Sequence, residues 1–379
     1  MAAHMSAILD GVGVERAARR FAAPQQYVQG PGVFDKLGAI VAEHGARPVV
    51  VIDADIVELL GARLTASMES APLAHQVVPY RGPVTRGHIA ATVDRVATGF
   101  GDVIVGVGGG KALDVAKGVA HRLERPMISV PTTASNDGPT ASIYALYDDE
   151  GRLSELGRLP SNPAAVVVDT EVIANAPIRF LVSGIGDALS KKFEARSCAR
   201  GRGVTTQGTR PLIIGEVIAD GCSRVLLRDG VAAIRDVVGG RVTAEVEAVV
   251  EAVILLSGIG YENGGLSIAH CMTRGLQVGR GSSKHLHGFH VAYGLLVQLA
   301  LENDPEVDRR EIRDFLTEVG LPTSLADLDM PSPTSEEIAA LGAAAAAAPH
   351  VANTWVDASA ARIAAAIDDV EREAASDGI

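Results

Sequence analysis

Short apolar, β-branched runs alternate with helical stretches from about residue 25 to 170. That alternation restricts the first half of the chain to a parallel sheet with helices on both faces. The runs are 47–53 (RPVVVID), 102–107 (DVIVGV), 126–130 (PMISV) and 164–169 (AAVVVD). Between them lie GVFDKLGAIVAEHG and KALDVAKGVAHRL, with apolar residues at helical spacing. YALYDDEGRLSEL reads as a hairpin with Asp149, Glu150 and Gly151 in its turn. After about residue 170, strand signals become few. PIRFLVSGIGDALSKKFEARSCA, EVEAVVEAVILLSGIG and HVAYGLLVQLALEN read as helices, and an alanine run ends at Pro349. No internal repeat is visible. The expectation is an α/β domain with a Rossmann-like parallel sheet over 1–170, and an all-α domain over 171–379. A chain of 379 residues comfortably supplies two cores.

Bulk composition narrows the partners. Hydrophobic residues make up 47%, which indicates well-buried globular structure. A net charge of −12 argues against nucleic acid, which needs a basic face, and suits a small organic ligand. No apolar run reaches the length of a membrane span, so no membrane role is expected. The opening MAAHMSAILDG lacks the regions of a secretory leader, and His4-Met5 reads as a cloning remnant with Met5 a candidate start. Three scattered cysteines, Cys198, Cys222 and Cys271, point to free thiols in a reducing cytoplasm.

The run DVIVGVGGGKALDVAKGVA (102–120) joins a strand to a helix through glycines. It fits neither familiar phosphate motif. Gly-x-Gly-x-x-Gly from Gly106 needs glycine at Lys111, and the P-loop needs glycine at Val105 and Ser or Thr at Ala112. Physically it is still an anion seat, because bare backbone N–H groups and a helix N-terminus face the same point. A tight packing turn also satisfies the pattern. Asp53, at the end of VVVID, suits ribose hydroxyls and disfavours a 2′-phosphate; it equally suits a helix cap, with Asp55 competing for that role. SVPTTASNDGPTASIY (129–144) leaves another strand end and gathers Thr132, Thr133, Ser135, Asn136 and Asp137 in one loop.

Three segments of the second half carry metal-ligating side chains: Asp187 in GIGDALSKKFEARS, His270 in LSIAHCMTRG and His287 in KHLHGFHVAYG. One carboxylate, two imidazoles and an open position suit Zn²⁺, or Fe²⁺ in a facial triad. Spacing alone does not select this trio, and His285 or His290 can replace His287 on that basis.

Taken together, GVGGGKALDVAK, VPTTASNDGPTAS, the run from Asn162 through FEARS, LLSGIGYENGGLSIAH and HGFHVAYGLLVQLALEN resemble the glycerol dehydrogenase group of the iron-containing, or metal-dependent, alcohol dehydrogenase superfamily. They stand in that family's order across most of residues 25–305. The resemblance implies a dehydroquinate synthase-like fold, NAD as hydride acceptor, and Zn²⁺ (or Fe²⁺ or Mn²⁺) as Lewis acid for a small polyol. It implies Asp187, His270 and His287 as metal ligands and catalytic residues, and Asp137 as the aspartate facing substrate hydroxyls. Gly108, Gly109, Gly110 and Lys111 would hold the pyrophosphate, and Thr132 and Thr133 would line the nicotinamide side. Asp53 would bind the ribose, with Asp114 and Ser135 also on the cofactor side. A cytoplasmic homo-oligomer, from dimer to octamer, is expected.

The chain departs from that family at several points near the site. Thr273 and Arg274 stand where a further histidine is common three residues after the first. HGFHVAYG puts Phe289 and His290 where a charged Glu-Lys pair is usual, and Lys191 and Lys192 replace uncharged side chains. Arg274, Lys191 and Lys192 suit an anionic polyol, and equally suit solvent or a subunit contact. A glycerol-1-phosphate or cyclitol dehydrogenase is therefore the alternative substrate class. A dehydroquinate synthase-like cyclase is disfavoured, since NDGPTAS has no following lysine. A non-catalytic NAD-binding protein is the remaining alternative.

Overall fold

The computed structural model describes residues 18–149 and 151–377. The candidate start Met5, and Glu150 of the hairpin turn, lie outside the described residues. Among the described residues of the first half there are eight strands: β1 (Gln26–Gly30), β2 (Pro48–Asp53), β3 (Gln76–Tyr80), β4 (Val103–Gly108), β5 (Met127–Pro131), β6 (Ile143–Tyr147), β7 (Leu153–Arg158) and β8 (Ala165–Asp169). Six of them form a parallel sheet in the order β1-β8-β5-β4-β2-β3. β6 and β7 pair separately as the antiparallel hairpin read from the sequence. No strand follows Asp169 among the described residues.

The four strands read from the sequence are β2, β4, β5 and β8. β4, β5 and β8 are buried along their whole length, as is β2 apart from Asp53. Such strands need apolar residues on both faces, so they appear as continuous runs. One face presents Val50, Ile52, Val105 and Val107 to Phe34, Leu37, Leu64 and Met68. The other presents Val49, Val51 and Ile104 to Leu113, Val115 and Val119 of the helix Gly110–Leu123 and to Ile89.

The chain divides into two compact units. One comprises Ala23–Leu181 with Ala232–Gly258, and contains the sheet. Its second segment is tied to the first by Gln29 Nε2, which donates to the Glu247 carbonyl at 2.9 Å, and by Thr170 Oγ1, which donates to Glu247 Oε1. The other unit takes 18–22, 182–231 and 259–377 and is helical. Its helix His287–Glu302 is buried on nearly every side, with Val291, Tyr293, Leu295 and Leu299 inside. A helix apolar all round belongs at the centre of its layer. The alanine-rich helix Ser335–Ala346 starts on a Thr334–Glu337 capping box and ends before Pro349, as the sequence suggests.

In the sheet unit the strand order reverses between β2 and β4. From β2 the chain steps outward to β3, and from β4 it steps the other way to β5. The carboxyl ends of β2 and β4 therefore bound the switch-point crevice, where open α/β sheets bind ligands. Lys117 secures one wall of this edge. It is fully buried, and its Nζ donates to the carbonyls of Gly138 at 2.6 Å and Ile143 at 2.9 Å, with Asp114 at 3.9 Å. Lys117→Met keeps the length but leaves these two carbonyls short of a donor. We expect a loss of roughly 2–6 kcal/mol in urea denaturation, from about one to three kcal/mol for each carbonyl left unsatisfied. A loss below about 0.5 kcal/mol, the range of ordinary surface changes, would contradict this role.

Candidate active site

Asp187 lies on the helix Arg179–Arg200, His270 on the helix Ile268–Val278, and His287 opens the helix His287–Glu302. The helical unit brings one ligand atom of each within 4.8 Å of the others. Asp187 Oδ1 is 3.3 Å from His270 Nε2 and 3.7 Å from His287 Nε2. The Asp187 side chain is 1% exposed and that of His287 45%, so the cluster is closed at the carboxylate and open at His287.

Glu194 stands behind His270. Its Oε2 is 2.7 Å from His270 Nδ1, and its Oε1 accepts from the backbone N–H groups of Ser267 at 2.8 Å and His270 at 3.0 Å. A carboxylate on Nδ1 turns Nε2 toward the centre of the cluster, as in carboxylate–histidine–metal triads. Burial opposes a charge on Asp187, but the Lys191 ammonium, with the two histidines, holds its carboxyl well below the usual range. Burial likewise opposes charge on Glu194 and is outweighed first by His270. Burial pulls His270 down, yet Glu194 and then Asp187 push it up to about 9.

A carboxylate oxygen and two imidazole nitrogens, with an outer carboxylate orienting one ring, fit a divalent metal such as Zn²⁺ or Fe²⁺. One neighbour complicates this. Lys191, one helical turn after Asp187, is fully buried, and its Nζ donates to Asp187 Oδ1 at 2.5 Å and to the Asp187 carbonyl at 3.0 Å. The same nitrogen is 3.4 Å from His270 Nε2.

The two histidines that spacing allowed in place of His287 are occupied elsewhere. His290 is buried with Nε2 at 2.8 Å from the Ser282 carbonyl, and His285 pairs with Asp329 at 3.1 Å. Lys192 pairs with Asp220 at 3.1 Å, and Arg274 is exposed. Of the three cationic side chains noted in sequence, Lys191 is the one with its charge inside the cluster.

In the sheet unit, β4 ends at Gly108, Gly109 precedes the helix Gly110–Leu123, and no side chain caps that helix. Its first turn holds no acidic residue. Gly108 has φ +150°, which L side chains rarely adopt, and an added Cβ would sit 2.7 Å from Ala112 Cβ and 3.0 Å from Asp53 Cβ. The Gly108 carbonyl accepts from Thr132 N at 3.1 Å. A Cβ on Gly109 would approach Thr133 Oγ1 at 3.7 Å, and one on Gly110 would approach Asn136 Nδ2 at 3.6 Å. The edge thus gathers Asp53, the three glycines, Thr132, Thr133 and Asn136 around one uncapped helix start, which fits an anionic ligand. Lys111 is exposed beside it, and Ser135 lies in the same loop, half-buried. Asp53 does cap, accepting from Asp55 N at 3.0 Å through Oδ1. Asp114 is engaged with the hairpin instead, where its Oδ2 accepts from Ala145 N at 3.2 Å, and burial pushes it up to about 6. Asp137 is buried, and its Oδ2 accepts from Ser257 Oγ at 2.6 Å.

Two contributors were not singled out from sequence, Glu194 and Ser257. Glu194 had a usable signal. Asp187, Lys191 and Glu194 are spaced i, i+4, i+7, which places them on one helical face. Ser257 had none, because it meets Asp137 across 120 residues of chain.

Residues 28–177 match the family described as iron-containing alcohol dehydrogenase. The chain is 39% identical over 317 residues to the glycerol dehydrogenase of Thermotoga maritima, covering 83% of this chain and 86% of that one. Among solved structures, the glycerol dehydrogenase of Schizosaccharomyces pombe has a TM-score of 0.90 at 34% identity, covering 95% of this chain and 92% of that one. A probable glycerol dehydrogenase from Sinorhizobium meliloti has a TM-score of 0.87 at 37% identity, covering 95% and 99%. With such relatives matched over nearly their full length, the chain belongs to the iron-containing alcohol dehydrogenase family, as an alcohol-oxidising enzyme of the glycerol dehydrogenase kind.

Proposed function

We propose that this enzyme is an NAD-dependent, divalent-metal-dependent dehydrogenase that oxidises glycerol or a closely related small polyol at a secondary hydroxyl. The observation that carries it is the clustered Asp187–His270–His287 donor set, closed at Asp187 and open at His287, with Glu194 fixed behind it. Asp187, His270 and His287 would hold the metal, with Zn²⁺ our first assignment and Fe²⁺ or Mn²⁺ the alternatives. When bound, such an ion supplies Lewis acidity to an alcohol oxygen, and NAD supplies the hydride acceptor.

The chain's own groups do the positioning. Glu194 fixes the His270 ring, and Asp187 contributes the anionic donor at the closed end. The uncapped start of the helix Gly110–Leu123 would take the pyrophosphate on backbone N–H groups, with Lys111 adding charge and Thr132 and Thr133 on the nicotinamide side. Asp53 gives one oxygen to the Asp55 amide and keeps acceptor capacity for ribose hydroxyls. Asp137, held by Ser257, would accept from substrate hydroxyls. We assign dinucleotide binding to the α/β part of 1–170, and the metal and the other substrate contacts, Asp137 excepted, to the helical part of 171–379. We place the enzyme in the cytoplasm as a homo-oligomer; no described helix is long and apolar enough to cross a membrane.

The test is NADH formation across glycerol, phosphorylated polyols and cyclitols, with Zn²⁺, Fe²⁺ or Mn²⁺ added in turn. Turnover of neutral small polyols above the phosphorylated ones is expected. Preference for a phosphorylated polyol or a cyclitol would replace the substrate assigned here, and NAD binding without oxidation of any of them would remove the enzymatic proposal.

A further inference from the structure

We infer that Lys191 is a built-in competitor for the metal: its ammonium occupies the Asp187–His270 donors, and an entering divalent ion must evict it. This rests on the metal-dependent reading above.

The geometry shows why. Lys191 is fully buried, so its charge needs a partner, and Asp187 is that partner through both its side chain and its carbonyl. The oxygen that Lys191 holds at 2.5 Å, Asp187 Oδ1, is the one that faces both imidazoles at 3.3 and 3.7 Å. An ammonium hydrogen-bonded there and a divalent ion on the same oxygen repel as like charges in a poorly solvated place. Nζ already lies over the Tyr261 ring, 5.9 Å from its centroid, so a shift toward that face leaves an evicted ammonium with an attractive partner. The lysine thus holds the donor set together without metal, and weakens metal affinity by the work of leaving.

The experiment titrates metal-free wild type and Lys191→Met with Zn²⁺ against a chromogenic chelator, with circular dichroism confirming the fold of each. The variant keeps the length of the side chain and removes the charge. We expect it to bind Zn²⁺ at least about tenfold more tightly, a factor comfortably resolved by such a titration. We also expect the metal-free variant to melt lower than metal-free wild type and to gain more in melting temperature on adding Zn²⁺. Binding by the variant with none by wild type would support the inference in its strongest form. Equal or weaker binding by the variant overturns it and leaves the metal assignment standing. Absence of Zn²⁺, Fe²⁺ and Mn²⁺ binding in both proteins overturns the metal assignment, and the competitor role with it. If Lys191→Met does not fold, the crystal structure of Zn²⁺-soaked wild type decides. Nζ displaced from Asp187 with the ion in place supports eviction. Nζ still hydrogen-bonded to Asp187 Oδ1 beside the ion refutes it, and a soaked crystal without the ion at these residues counts against both.

Discussion

Asp187→Asn is expected to lower kcat/KM for the polyol by well over about 100-fold, because losing an outer partner of a ligand already costs 10–100-fold and Asp187 is an inner donor. The change is nearly isosteric, so the loss is one of charge and donor character. It also strands a buried ammonium, since Lys191 Nζ is held by this carboxylate at 2.5 Å. Breaking a buried ion pair by removing one partner costs about 3–5 kcal/mol, so the metal-free variant is expected to melt well below wild type. The two effects separate in Asp187→Asn/Lys191→Met. There the stranded charge is gone and stability returns toward wild type, whereas activity stays low. Recovery of activity in the double variant would show that Asp187 serves only to neutralise Lys191.

The second large effect concerns the glycine edge. Gly108→Ala places a Cβ 2.7 Å from Ala112 Cβ on a backbone with φ +150°. Strain of that kind costs on the order of 1–3 kcal/mol, so its effects on folding and on dinucleotide binding are mixed. Gly109→Ala separates them. Its φ is −77°, and the nearest atom to the new methyl is Thr133 Oγ1 at 3.7 Å, an ordinary contact. Stability is expected to stay within about 0.5 kcal/mol of wild type. Gly109 is the cap residue of the helix proposed to take the pyrophosphate, so with a methyl there the Kd for NAD⁺ is expected to rise about tenfold or more, about 1.4 kcal/mol. Unchanged NAD⁺ affinity in Gly109→Ala, measured by fluorescence titration, would remove the glycines from the pyrophosphate site.

Much of the fold was legible because burial writes itself into sequence. β2, β4, β5 and β8 are sandwiched between helices and appear as unbroken valine and isoleucine runs. β1 and β3 sit at the two edges, β1 half-buried throughout and β3 buried only at Val78 and Tyr80, and QYVQG and QVVPY carry no such run. The helical half was legible from long alanine- and leucine-rich segments free of strand signals, as at Arg179–Arg200 and His287–Glu302. The stretch GVFDKLGAIVAEHG gives a shorter helix than its pattern suggests, Leu37–Ala42, because a 3₁₀ turn over Val33–Lys36 uses its first residues.

The site was legible only in part. Asp187, His270 and His287 lie on three separate helices, and periodicity within one helix says nothing about which others it meets. The resemblance to a known family selected the trio; the structure supplies the distances. It also gives Lys191 a position no spacing rule assigns, since a lysine one turn after an aspartate is most often a solvated pair. Burial of both side chains to 1% or less is what turns that pair into a competitor for the ligand set.

On the proposed function, the donor set of Asp187, His270 and His287 makes this enzyme's chemistry depend on a metal. The most direct measurement is metal content and NADH formation from glycerol on the same sample, before chelation, after exhaustive chelation, and after Zn²⁺ or Fe²⁺ is returned. The predicted result is about one equivalent of metal per chain when active, as three donors of one cluster supply a single site. Activity should fall to background on chelation and recover with metal, and Asp187→Asn should fail to recover. Full activity in chelated protein with no measurable metal would contradict it.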